Sequence, residues 1–171
     1  MPEDPDAFEY RFGILKRELD TIDSSIRKID EIGNSIKNWA ILAWTGSGAA
    51  ILGKPELHDY VLFTAAPPLI FMFVDAHWRK VQRRFMWRQY QISDYLNSSK
   101  FDEDCEARKL NFHLFDPIAR RSHKDEKFQK FISIPKILSF PTVSLVYLGL
   151  ACLSIVLWVI LLVAPPTKAE Q

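Results

Sequence analysis

Apolar and polar positions alternate at helical spacing over the first part of the chain and then separate into long blocks. Phe8, Phe12, Leu15, Leu19, Ile22, Ile26, Ile29 and Ile36 follow one another at steps of four, three, four, three, four, three and seven, with Gly33 where the alternation would continue. This is a heptad seam, and it predicts an amphipathic helix over residues 1–36. Such a stripe packs either on the rest of its own subunit or on copies of itself. The seam enters the next apolar run without a proline, and little soluble sequence is left to cover it, so an oligomerisation seam is the reading taken here for Phe8 to Ile29. Gly33-Asn34 marks a bend.

Three uncharged runs follow: residues 38–53, residues 60–74, and a run from Ile137 to Thr167 that is almost wholly apolar as far as Ala164. The last exceeds the roughly 20 residues needed to cross a bilayer. The first two are marginal, since 16 residues reach about 24 Å. Of the 22 Lys+Arg, six precede Asn38, fourteen lie between Asp75 and Lys136 inclusive, and only Lys54 and Lys168 fall elsewhere. That bias places the N-terminus and the central block in the cytoplasm and the C-terminus outside. Trp39 and Trp78 stand at the two cytoplasmic boundaries. The expected organisation is a cytoplasmic helix over 1–36, a membrane hairpin over 37–75 (spans at about 37–54 and 59–75), a basic cytoplasmic block over 76–136, a third span over 137–164 and an external tail over 165–171. The fold class is all-α: an integral membrane protein with three transmembrane helices, a long N-terminal amphipathic helix and a helical cytoplasmic block.

Averaged over 171 residues, 48% hydrophobic and 25% charged composition with net charge +1 would describe a soluble domain. The segregation makes that average uninformative. The two polar blocks, of about 36 and 62 residues, are too short for a nucleotide-binding or hydrolase domain of ~100–200 residues. Cys105 and Cys152 fall in different segments, and His58, His77, His113 and His123 have no metal spacing. With no phosphate-binding glycine loop or nucleophile elbow, the reading is a non-enzyme without metal or cofactor.

Within the first span, Ala43, Gly46, Ser47, Ala50 and Gly53 form a small-residue face for helix packing or a pore. Pro67 and Pro68 are expected to kink the second span at mid-depth, as a gate hinge would. Asp75 is read as an i,i+4 partner of Arg79 or as a charge at a pore mouth. Beyond it the helix continues to about Leu96, ended by Asn97-Ser98-Ser99. Arg79, Lys80, Arg83, Arg84 and Arg88 form ladders uninterrupted by any acid between Ala76 and Ser93. They suit anionic lipid headgroups or a cytoplasmic polyanion such as a nucleotide or short oligonucleotide. Arg120, Arg121, Lys124, Lys127 and Lys130 add a sparser patch. Asp102 to Glu106 is read as a solvated helix start, and Cys105 to Phe115 as helical.

The stretches Ser35-Ile36-Lys37-Asn38-Trp39-Ala40, Phe71-Met72-Phe73-Val74-Asp75-Ala76-His77-Trp78-Arg79, Gln82-Arg83-Arg84-Phe85 and Tyr95-Leu96-Asn97 resemble the membrane effectors of nucleotide-signalled anti-phage defence, the SLATT-like group and the channel subunit of the Hailong system. The likeness covers about residues 20–98. It implies a homo-oligomer in the bacterial inner membrane that forms or gates a pore under a cytoplasmic anionic ligand, with a nucleotidyltransferase as signalling partner. The alternative is a non-conducting adaptor that anchors a soluble partner to the lipid bilayer through its cytoplasmic helices.

Overall fold

A computed structural model describes residues 5–163. Among these the structure is helical without strands: α1 (Pro5–Leu52), a 3₁₀ segment (Pro55–Ala65), α2 (Ala66–Leu96), α3 (Ser99–Glu106), a short 3₁₀ turn (Arg120–Lys124), α4 (Glu126–Phe131), α5 (Ile134–Leu138) and α6 (Pro141–Val163). The tail at 165–171 lies outside the described residues. Two helical runs, Pro55–Leu96 and Glu126–Val163, are long and apolar enough to cross a membrane. The chain divides into two compact units. A polar unit comprises residues up to Glu31 with Arg79–Ser133, and an apolar unit comprises Ile32–Trp78 with residues from Ile134 on.

In the polar unit the seam is a core line. Leu15 and Ile22 are buried with Ile92, Tyr95 and Leu110, flanked by Phe8, Leu19, Ile26 and Phe85. Each buried Leu or Ile removes enough apolar area to contribute about 1.5–3 kcal/mol. The seam expected to join copies is therefore covered within one chain, because the apolar side of α2 and the segment after α3 supply the partners that the sequence does not reveal. Only Phe12 of the large seam residues remains exposed. A second cluster joins Ala119, Phe128 and Ile132 to Trp87 and Phe131.

The expected helix over Cys105–Phe115 is corrected. Regular helix stops at Glu106, and Arg108, Phe115 and Ala119 adopt left-handed φ of 48°, 63° and 50°. Non-glycine residues take that region only where surrounding contacts hold them there.

In the apolar unit, α1 passes Gly33-Asn34 without a break, and the chain reverses through Gly53 and Lys54. The second span does not form as one proline-kinked helix. A 3₁₀ segment carries the chain to Ala65, and Pro67 and Pro68 lie in the first turn of α2. There the missing N–H groups would have had no helical acceptor anyway, so the prolines start a helix and no mid-span hinge forms. Similarly, the third apolar helix begins at Pro141, after a break that separates it from α5. Ile36, Ala40 and Tyr147 form one buried cluster of this unit, and Ala76, Ile137 and Val143 another.

Candidate functional site

The five basic residues of α2 do not act as one patch. Arg88 is 4% exposed, and its Nε and Nη2 donate to the two carboxylate oxygens of Glu18 at 2.8 and 3.2 Å. Nη2 also reaches the His113 carbonyl at 2.5 Å, and the guanidinium lies 4.7 Å from the Phe112 ring centroid. Glu18, fully buried, accepts in addition the backbone N–H groups of Phe115 and Asp116 at 2.7 and 2.8 Å. A buried carboxylate needs this many donors to offset its desolvation. Arg88 is thus a structural cation, not part of a ligand face. The correction has a physical cause: its counter-charge stands 70 positions away. Glu18 itself was legible as an anomaly, an acid on the apolar face between Leu15 and Ile22.

Arg79 donates to Asp30 at 2.5 Å and to Gln82 at 2.8 Å. Arg83 donates to the Phe131 carbonyl at 2.6 Å with its guanidinium 5.0 Å from that ring's centroid. Burial lowers the Arg83 pKa, with Tyr90 acting in the opposite sense. Arg84 is different. It is half-buried, makes no hydrogen bond or ion pair among the described residues, and has its Nε shielded from solvent. It lines a cleft of about 200 Å³ with Ile118, Ala119, Arg120, His123 and Phe128. Lys80 is half-buried but does not line that cleft. The structure thus brings Arg84 of the first basic cluster to Arg120 of the second. The aromatic residues near the cluster pack among themselves: Trp87 lies 5.6 Å from Phe128 and 5.5 Å from Phe131, and its Nε1 donates to Ser122.

The acidic cluster at 102–106 is only partly a solvated helix start. Asp104 is buried and accepts from Tyr95 Oη at 2.6 Å, from Asn111 N at 2.9 Å and from Asn111 Nδ2 at 2.7 Å. Burial alone would raise its pKa, but these donors and the Lys100 charge outweigh it and the value falls. Burial, then the bond to Asp104, drives Tyr95 upward. Asp116 accepts the N–H groups of Arg120 and Arg121 at 2.8 and 3.1 Å and so fixes the start of the 3₁₀ turn.

The apolar unit holds its polar atoms inside. Asp75 is fully buried and accepts from Tyr147 Oη at 3.0 Å. Trp44 Nε1 donates to Ser154 Oγ at 2.8 Å, and Thr64 Oγ1 lies 2.8 Å from the same oxygen. Three apolar segments therefore meet at one buried serine, a contact that no spacing rule announces. Lys37 Nζ donates to the Thr142 carbonyl at 2.9 Å.

Of the small-residue face, Ala43 and Ser47 are half-buried, whereas Gly46, Ala50 and Gly53 are exposed. A Cβ added at Gly46 would meet nothing within 4 Å. Among the described residues no three metal-ligating side chains converge. Comparison with protein-family models, with curated proteins and with solved structures finds no match to this chain.

Proposed function

We propose that the chain is an integral protein of the bacterial inner membrane, with its three apolar segments as spans and the polar unit in the cytoplasm. The observation that carries this is the apolar exterior of a unit that buries polar side chains. Asp75, Thr64 and Ser154 are fully buried or nearly so, while Trp39, Leu42, Phe63, Ile70, Phe73, Leu145, Leu162 and Val163 are more than half exposed. In water an apolar surface of that extent would associate. In lipid it is the stable arrangement, with interhelical polar contacts inside and hydrocarbon outside. Reporter fusions after Asn97 and after Gln171 test the topology: cytoplasmic and periplasmic behaviour, respectively, is expected, and a cytoplasmic C-terminus rejects three spans.

On that scaffold the chain acts as a non-enzymatic, homo-oligomeric effector that forms or gates a pore under control of a cytoplasmic anion. The resemblance to anti-phage effectors and an Arg84 partnerless among the described residues support it. Ile36, Ala40 and Tyr147 fill the space among the helices of one copy, so conduction requires a path between copies. The same filled interior favours the second reading, a non-conducting adaptor. Ion flux through liposomes reconstituted with the purified protein separates the two.

A further inference from the structure

We propose that the cleft lined by Arg84, Arg120 and His123 is a phosphate site that takes one phosphoryl group, either at the end of a soluble phosphomonoester or on a lipid headgroup. For its role in control, though not for binding, this rests on the anionic-ligand reading above. Two observations converge. Among the described residues Arg84 has no acceptor, and its Nε is shielded; a guanidinium held without a counter-charge is a standing demand for an oxyanion. Arg120, exposed to solvent, lines the same cleft, whose lining contains no carboxylate.

Asp116 does not quench the site from the side of the backbone, since its oxygens are committed to the N–H groups of Arg120 and Arg121. That bond, with Ala119 at φ 50°, fixes the turn that presents Arg120 and His123. Size limits the ligand. About 200 Å³ falls below the ~300–1,000 Å³ of pockets that enclose a whole small molecule, so the cleft holds a phosphoryl group while the remainder of its carrier stays outside. Arg84 follows Trp78 by six residues in sequence, which makes a lipid phosphate as admissible a source as a soluble one.

The test uses the full-length protein. In detergent at constant ionic strength, inorganic phosphate is titrated against chloride while thermal unfolding is followed. In a second arm, nanodiscs of phosphatidylcholine alone are compared with nanodiscs that also contain phosphatidic acid. Stabilisation by phosphate in detergent identifies a soluble ligand, and stabilisation only by phosphatidic acid identifies a lipid one. In either case Arg84→Gln and Arg120→Gln are expected to weaken the response about tenfold, Arg84→Lys is expected to weaken it partially, and Lys80→Gln to leave it unchanged. No stabilisation in either arm, or equal responses from wild type and both glutamine variants with native circular dichroism, overturns the proposal. Carbonate extraction of membranes expressing the same proteins reports separately on the membrane reading, which can fail while phosphate binding stands.

Discussion

The polar and apolar units of one chain differ in what they expose. In the polar unit large apolar side chains such as Leu15, Ile22 and Ile92 go inward, and its buried charges, Glu18 with Arg88 and Asp104 with Tyr95, form fully bonded knots. In the apolar unit the small or polar residues Ala40, Ala151, Thr64 and Ser154 go inward, and Leu145, Leu153 and Ile160 face out. Burial in the first is driven by water; in the second, on the membrane reading proposed above, lipid would offer leucine the same environment inside and out, so packing and hydrogen bonds would decide. Buried polar atoms organise both units, Glu18, Arg88, Asp104 and Asp116 in the first and Thr64, Asp75 and Ser154 in the second; what sets the second apart is its apolar exterior.

Substitutions that treat the two alike will expose the difference. The largest effect is expected at Arg88. Arg88→Met leaves the Glu18 charge buried and should destabilise the polar unit by about 3–5 kcal/mol, read as accelerated proteolysis within residues 107–125. Glu18→Met combined with Arg88→Met removes the buried charge but orphans the Phe115 and Asp116 N–H groups and the His113 carbonyl, so it should recover only part of that loss; a double variant as labile as Arg88→Met alone would mean that these backbone bonds carry the stability. Next comes Leu153→Asp on the outward face of α6. In lipid a carboxylate there costs about 2.5–3.5 kcal/mol and should deplete the membrane fraction, whereas on a water-facing surface it would be harmless. A glycosylation-based insertion assay distinguishes the two outcomes.

Ser154→Ala, which removes the acceptor of Trp44 and the partner of Thr64, should cost about 0.6–1.7 kcal/mol in steric-trap or detergent unfolding. No measurable loss would mean that the serine does not hold the three segments together. The smallest effect is a pH dependence of the polar unit. The lowered Asp104 value means that its stabilisation is complete above the unfolded carboxylate range of about 4 and declines as pH falls through the folded value. The raised Tyr95 value means the converse, with stabilisation complete below about 10 and lost on rising further. Asp104→Asn should flatten the acid limb of a denaturation-versus-pH curve, and an unchanged limb would assign it to other groups.

Much of the helix content was legible. The four-three spacing from Phe8 to Ile29 identified α1, and Asn97-Ser98 marked the end of α2 at Leu96. What the seam packs against was not, because periodicity reports that a face is apolar and says nothing of its partner. The segment 107–119 escaped because its path is dictated by carboxylates distant in sequence: Glu18 holds Phe115 in a left-handed conformation that no local signal favours. The basic ladder misled for a related reason. A cation's role depends on its counter-charge, and those of Arg79 and Arg88 lie 49 and 70 positions away. Arg84 differs in that, among the described residues, its shielded Nε meets no acceptor.

The Glu18 knot also sets a timetable. The amides that complete it follow by 97 and 98 positions, so a ribosome adding roughly 5–20 residues per second supplies them roughly 5–20 s after Glu18 itself has been made. Throughout that interval the carboxylate must stay in water, which keeps the adjoining Leu15 and Ile22 from sealing against α2 too early. By the time Phe115 and Asp116 are made, both arms of the hairpin at Gly53 have left the peptidyl-transferase centre, so on the membrane reading proposed above the first two apolar segments can insert before the polar unit locks.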